Sequence, residues 1–190
     1  MRHVAPAVSE GRAVEILNSG WSARLHRWLS VLRPTDPDAS QPRAELVWMP
    51  SYLLTIQLES KRGPGEVTCS IDACSGSFAL FQMHDAIVDG EAEGETFPAL
   101  LDEAGAEKVA REELVKVILR RRSRAGKPLP TKTLRRELLS YPYWVYYYQR
   151  RPGLIDIKVL DAATGRPVGN KIKLGILDAF KAAVKSAGQV

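Results

Sequence analysis

Ile71-Asp72-Ala73-Cys74-Ser75-Gly76 is the stretch that indicates the fold most clearly, because a related segment recurs as Leu160-Asp161-Ala162-Ala163-Thr164-Gly165. An Asp at the start of such a segment accepts hydrogen bonds from the N–H groups that follow it, and a Gly at its end supplies a positive φ. The sequence therefore predicts two structural turns of the same kind, each between two strands, at Asp72, Gly76, Asp161 and Gly165.

A second pair of related segments precedes the two turns. These segments are Pro50-Ser51-Tyr52-Leu53-Leu54-Thr55-Ile56 and Pro142-Tyr143-Trp144-Val145-Tyr146-Tyr147-Tyr148. The spacing to the following turn differs by three residues between the copies, and the difference falls in a hairpin loop, where length varies freely. We therefore predict an α+β fold built from two repeated units, each a helix plus a three-stranded antiparallel sheet, able to share one core.

Apolar residues at three- and four-residue spacing predict the helices. This spacing indicates a helix over residues 9–32, a second over 107–124 and a last one around 177–184. A short helix is expected over 133–139 and a short strand over 168–174. Residues 1–44 are then the first helix and a Pro-rich linker of the first unit. Residues 45–103 form its sheet and an acidic loop, and residues 104–190 form the second unit.

The two turns, together with the aromatic strands around Tyr52 and Trp144, resemble PepSY-like modules, which are small cystatin-like units of one helix and an antiparallel sheet. This resemblance covers about 80 residues at the level of short motifs. It implies a non-catalytic binding or inhibitory function, and it supplies no catalytic residue.

Charge is distributed in two opposite blocks. Ten acidic residues lie between residues 84 and 113, and nine basic residues, with no acid among them, lie between 116 and 136. The basic block has two interpretations: a solvated helix end and loop, or a surface that binds phosphates. Its arginines are candidate binding residues: Arg120, Arg121, Arg122, Arg124, Arg135 and Arg136.

The segment 141–148 contains five tyrosines and a tryptophan. Alternation along a strand places aromatic rings on both faces, so one face is expected in the core and the other against a neighbouring unit or a ligand. Aromatic sheets beside Arg-rich loops stack nucleic-acid bases, which makes three side chains candidate binding residues: Tyr143, Trp144 and Tyr146.

Sequence patterns for catalysis, metals and cofactors are missing. Three histidines accompany no nucleophile motif, and the acidic residues lack the spacing of a calcium loop. Cys69 and Cys74 are able to form a disulfide across the turn or to remain reduced, and the reduced state is favoured. No apolar run has the length of a membrane span or a secretory signal, so a cytoplasmic protein is expected.

These patterns predict a non-enzymatic binding or scaffold protein without a cofactor. Its sheets and aromatic surface would contact a protein partner or a second copy of the chain. The alternative is a nucleic-acid-binding protein that uses the basic segment 116–136 together with the aromatic strand 141–148.

Overall fold

The computed structural model of the chain describes residues 2–18, 44–61, 63–120, 127–151 and 154–187. The helices are α1 (Glu10–Asn18), α2 (Glu103–Arg120) and α3 (Asn170–Ala187). The strands are β1 (Arg2–Val4), β2 (Ala44–Ser60), β3 (Gly63–Asp72), β4 (Phe78–Leu80), β5 (Ile87–Asp89), β6 (Glu95–Thr96), β7 (Leu129–Arg151) and β8 (Leu154–Asp161).

The eight strands form a mixed sheet. Its strand order is β4-β3-β2-β7-β1-β5, with β6 paired to β2 and β8 paired to β7. Strands β2 and β3 are antiparallel, as are β7 and β8, whereas β1 runs parallel to β7. Helices and a sheet together confirm the mixed helix-and-sheet class predicted from the sequence.

Two compact units divide the chain differently from the expected boundaries 1–44, 45–103 and 104–190. Unit 1 comprises residues 1–4, 48–141 and 170–190, and unit 2 comprises residues 5–47 and 142–169. Each unit therefore combines segments that lie far apart in the sequence.

Unit 1 contains the hairpin β2–β3 covered by helix α2. Its core holds four hairpin side chains and four helix side chains: Leu54, Ile56, Cys69, Ile71, Ala106, Ala110, Leu114 and Ile118. The helix residues recur every four positions and thus form one apolar stripe, and the small side chains of Ala106 and Ala110 allow the helix to approach the sheet closely. Helix α3 belongs to the same unit, and its Phe180 ring lies 5.0 Å from the ring of Phe97, centroid to centroid.

Unit 2 contains the hairpin formed by the C-terminal part of β7 and β8, covered by helix α1. Ala13 and Leu17 of the helix pack against Tyr146 and Leu160 of the hairpin. Lys158 of the hairpin also donates a hydrogen bond through Nζ to the Leu17 carbonyl, at 3.0 Å, which holds the last turn of the helix.

The two predicted turns make the same hydrogen bonds. Oδ1 of Asp72 accepts from the N–H groups of Cys74 and Ser75, and Oδ1 of Asp161 accepts from those of Ala163 and Thr164. The N–H of the terminal glycine donates to the Asp carbonyl at 2.8 Å in both turns. Gly76 has φ 62° and Gly165 has φ 70°, the left-handed conformation that the sequence predicted.

Each turn also anchors the segment that leads into a helix. The carbonyl of Ala73 accepts from the N–H groups of Leu100 and Leu101, just before α2. In the same way, the carbonyl of Ala162 accepts from those of Ala7 and Val8, just before α1. Each turn thus fixes where its covering helix begins.

Two predicted elements are wrong. Residues 133–139 were expected as a helix but belong to β7, because pairing with neighbouring strands overrides the helix preference of their Leu, Arg and Glu residues. Residues 168–174 were expected as a strand, but α3 begins at Asn170. Its buried residues Ile176 and Ala179 continue an apolar stripe from Ile172. Packing of the segment as a helix buries this stripe, which favours the helix over a strand.

Other elements have different ends from those predicted. Helix α2 begins at Glu103, four residues before the expected start, because Oδ1 of Asp102 accepts the N–H of Gly105 at 2.9 Å and caps it. Helix α1 begins at Glu10 and is described to Asn18, and the rest of the predicted helix 9–32 lies outside the described residues. Strand β4, which pairs with β3, ends at Leu80.

Candidate binding groove and charged surface

The arginines of the basic block occupy different environments. Arg120 is exposed at the end of α2, while Arg121, Arg122 and Arg124 lie outside the described residues. Arg135 and Arg136 lie on β7, and both are engaged with carboxylates. Their charges are therefore already compensated within unit 1.

Glu107 of α2 is the centre of a charged network that reaches β7. It accepts from Thr133 Oγ1 at 2.7 Å, from Arg111 Nη2 at 2.9 Å and from Arg136 Nη2 at 2.7 Å. Arg111 also donates to the Thr131 carbonyl at 2.6 Å. The hydrogen bonds from Thr133, Arg136 and Arg111 lower the pKa of Glu107 to about 2, because they stabilise the carboxylate.

A second group of charges lies around Glu137. This carboxylate pairs with Arg135 and, at 2.8 Å, with Nη1 of Arg2, whose Nε lies 3.1 Å from Asp89 Oδ1. A cavity of about 150 Å³ adjoins these groups, and its lining residues are Arg2, Leu53, Thr55, His84, Ile87, Arg135 and Glu137. Because two carboxylates face two guanidinium groups here, this surface carries little excess positive charge.

The aromatic candidates lie mostly inside unit 2. Tyr143 and Tyr146 have only 6% and 7% of their surface exposed, so their ring faces are covered by protein. Trp144 is half-buried, and its Nε1 donates to the Val8 carbonyl at 2.7 Å. These three side chains pack or bond locally, and the described structure does not present them as an open stacking surface.

An apolar groove opens between the sheet and the C-terminal end of α2. It encloses about 220 Å³, and its lining residues are Leu58, Val67, Leu80, Leu114, Val117, Ile118, Lys127 and Pro128. Among the described residues, Lys127 is the single charged one that lines the groove, and its Nζ donates to the Leu119 carbonyl at 2.8 Å. The groove is thus an open end of the core of unit 1, with one ammonium group in its wall.

Exposed apolar side chains adjoin this groove in the sequence. Val115 and Leu119 are exposed on α2, and Leu129 follows the lining residue Pro128. Leu119 leaves 56% of its surface in solvent. An open apolar groove is typical of a binding surface.

The thiols are not activated for nucleophilic chemistry. Both cysteines are free. Burial raises the pKa of Cys69 to about 11, and burial together with the nearby Asp72 carboxylate raises the pKa of Cys74 to about 11. Both groups are therefore protonated thiols at neutral pH, which are poor nucleophiles and poor metal ligands.

The described histidines make local contacts. The ring of His3 packs edge-on against Trp48 at 5.2 Å, and the ring of His84 packs edge-on against Phe81 at 5.3 Å. His26 lies outside the described residues. Within the ranges that the structure describes, no three His, Cys, Asp or Glu side chains are grouped so as to hold a metal ion, and no helix has the length and apolarity to cross a membrane.

Comparison of the chain with protein-family models, with curated proteins and with solved structures gave no match.

Sequence reasoning missed the groove and the Glu107 network. Leu58, Val67 and Lys127 belong to three separate segments, and no short motif connects them. Glu107 was visible only as one acid of the acidic block. A charged residue among the apolar positions of a helix face is the signal that indicates such a network, but only the fold shows which strand it faces.

Proposed function

We propose that this chain is a non-enzymatic binding protein that docks a protein partner through the apolar groove of unit 1. The open groove lined by Leu58, Val67, Leu80 and Val117 carries the proposal. A cavity of this volume in contact with solvent accepts an aliphatic or aromatic side chain, since engineered apolar cavities of about 150 Å³ already bind benzene.

The energetics favour an apolar anchor in the groove. Transfer of a Leu- or Phe-sized side chain from water to such a site contributes about 1.5–3 kcal/mol. A few central anchors of this kind provide most of the affinity of protein interfaces, and the polar rim supplies orientation. Lys127 lies in the groove wall and Arg120 ends the helix that forms one side, and both are suited to that orienting function.

The nucleic-acid alternative has less support. Arg135 and Arg136 are engaged with Glu137 and Glu107, and Tyr143 and Tyr146 are buried. Phosphate binding would first have to break these ion pairs. Any remaining attraction of a polyanion is expected to be weak, without sequence preference, and largely lost between about 50 and 200 mM salt.

We also propose that the two hairpins descend from one repeated unit, of PepSY-like or cystatin-like ancestry. The matching hydrogen bonds of the turns at Asp72 and Asp161 support this duplication. A cytoplasmic location is proposed as well, since the free thiols Cys69 and Cys74 suit a reducing compartment.

Affinity capture with a groove-filling variant tests the function. Val117→Trp places an indole in the groove, while Glu112→Trp adds the same side chain to an exposed position on the same helix, away from the groove. We expect proteins bound by the wild type and by Glu112→Trp in nuclease-treated lysate to be lost from Val117→Trp, as quantified by mass spectrometry. Circular dichroism confirms that both variants are folded. Identical sets of bound proteins for all three would contradict the proposal.

A further inference from the structure

The acidic loop, residues 85–95, is a fixed and highly charged surface of unit 1. Its acids are all exposed: Asp85, Asp89, Glu91, Glu93 and Glu95. Among the described residues, Asp89 pairs with Arg2, whereas no ion pair is seen for Glu91, Glu93 or Glu95. Three unpaired carboxylates on one loop therefore attract a positively charged surface.

Backbone contacts hold this loop in place. Trp48 Nε1 donates to the Glu93 carbonyl at 2.8 Å, and the Phe97 N–H donates to the Trp48 carbonyl at 3.3 Å. Gly90 and Gly94 have φ of 139° and 127°, conformations that side chains rarely adopt, so these glycines permit the bends of the loop. A loop that is ordered before binding loses little conformational entropy when it docks.

The groove carries the opposite charge. Lys127 lies in its wall, Arg120 ends the helix that forms one side, and none of the described residues that line it is acidic. A partner that fits this groove should therefore combine an apolar anchor with carboxylates.

The acidic loop itself has this combination. Val88 on β5 is 43% exposed and directly precedes Asp89 and the three unpaired glutamates. We infer that the protein partner is a second copy of this chain, whose acidic loop docks on the basic-edged apolar groove of the first. The inference rests on the proposed function of the groove and names its occupant.

This contact joins two different surfaces and is therefore heterologous, so each copy keeps one free groove and one free loop. Assembly should continue beyond a dimer as concentration rises. It should also weaken with salt, because the Debye length falls from about 10 Å at 0.1 M to about 3 Å at 1 M.

Two variants, each defective in a different one of the two surfaces, test the contact by sedimentation velocity. Val117→Trp blocks the groove but keeps the loop, and Glu91→Lys/Glu93→Lys/Glu95→Lys reverses the loop but keeps the groove. The backbone contact with Trp48 remains, because it uses the Glu93 carbonyl. We expect the wild type to form dimers and larger species at about 0.1 M salt that dissociate near 1 M. Each variant alone should be monomeric, and an equimolar mixture should form a 1:1 dimer and nothing larger.

The possible results separate this inference from the proposed function. A monomeric wild type at all concentrations, or a mixture that stays monomeric, would overturn the self-association. If captured proteins are nevertheless lost from Val117→Trp, the groove binds another protein and the proposed function stands. Association that the loop reversal leaves unchanged would also overturn the inference, because the acidic loop would then not be the occupant.

Discussion

The hairpins β2–β3 and β7–β8 end in turns with the same hydrogen bonds, but different cores lie beneath them. The helix over β2–β3 supplies four buried side chains, whereas the described part of the helix over β7–β8 supplies two, and aromatic rings fill much of the remaining space. Each hairpin is covered by the helix that precedes the other hairpin in the sequence. The geometry of each turn is therefore determined by adjacent residues. The helix that covers each hairpin, in contrast, comes from a distant part of the sequence.

The largest difference between the units should appear on truncating a core leucine. Leu114→Ala in α2 removes a side chain that is 2% exposed and packs in the core of unit 1, and it should lower the free energy of unfolding by about 3–4 kcal/mol. Leu17→Ala, near the described end of α1, should cost about 2 kcal/mol. Urea denaturation followed by circular dichroism measures both values. Equal losses would show that the units have equally dense cores.

The turn carboxylates should have the next largest effect. Asp72→Ala removes the acceptor of two N–H groups at a buried position and should cost about 2 kcal/mol, whereas the more exposed Asp161→Ala should cost about 1 kcal/mol. The matched controls Asp72→Asn and Asp161→Asn retain the accepting oxygen and should recover most of the loss. A larger effect at Asp161 than at Asp72 would contradict the dependence on burial.

Substitution of the two turn glycines by alanine should destabilise the protein to different extents, because the atoms around them differ. A Cβ at Gly76 meets no atom within 4 Å, while a Cβ at Gly165 lies 3.2 Å from Val8 Cγ2. Both alanine variants bear the strain of a positive φ, about 1 kcal/mol, and Gly165→Ala should lose several tenths of a kcal/mol more. Asn tolerates this conformation, so Gly76→Asn is the control. Melting temperatures at or above that of the wild type for both alanine variants would refute the turn assignment.

The smallest expected effect is a change in the pH dependence of stability, and it arises from unit 1 alone. The pKa of Glu107 is lowered in the folded state from 4.5 to about 2, so its stabilising effect is present above pH 4.5 and is lost as the pH falls towards 2. The stability of the wild type should therefore decline more steeply over this range than that of Glu107→Gln. Glu112→Gln, at an exposed position of the same helix, should follow the wild type. Parallel curves for all three would show that the network contributes nothing, as for many surface ion pairs.

The sequence predicted features that depend on few neighbouring residues. The turn at Asp72 and the first hairpin follow from an Asp, a Gly and an alternating apolar pattern, and all of them lie close together in the chain. The prediction of a helix at residues 133–139 is wrong because their preference for a helix is opposed by strand pairing, which no local pattern reveals. The groove was not predictable for a related reason: its walls come from β2, β3, β4, α2 and the segment before β7.

The composition of unit 2 has a consequence for the order in which the chain acquires its structure during synthesis. Helix α1 is synthesised more than a hundred residues before Tyr146 and Leu160, which cover its apolar face. Contacts between such distant segments slow folding, because the long intervening loop must first close. Ala13 and Leu17 of this helix therefore stay uncovered until Tyr146 and Leu160 have been made, long after the helix itself.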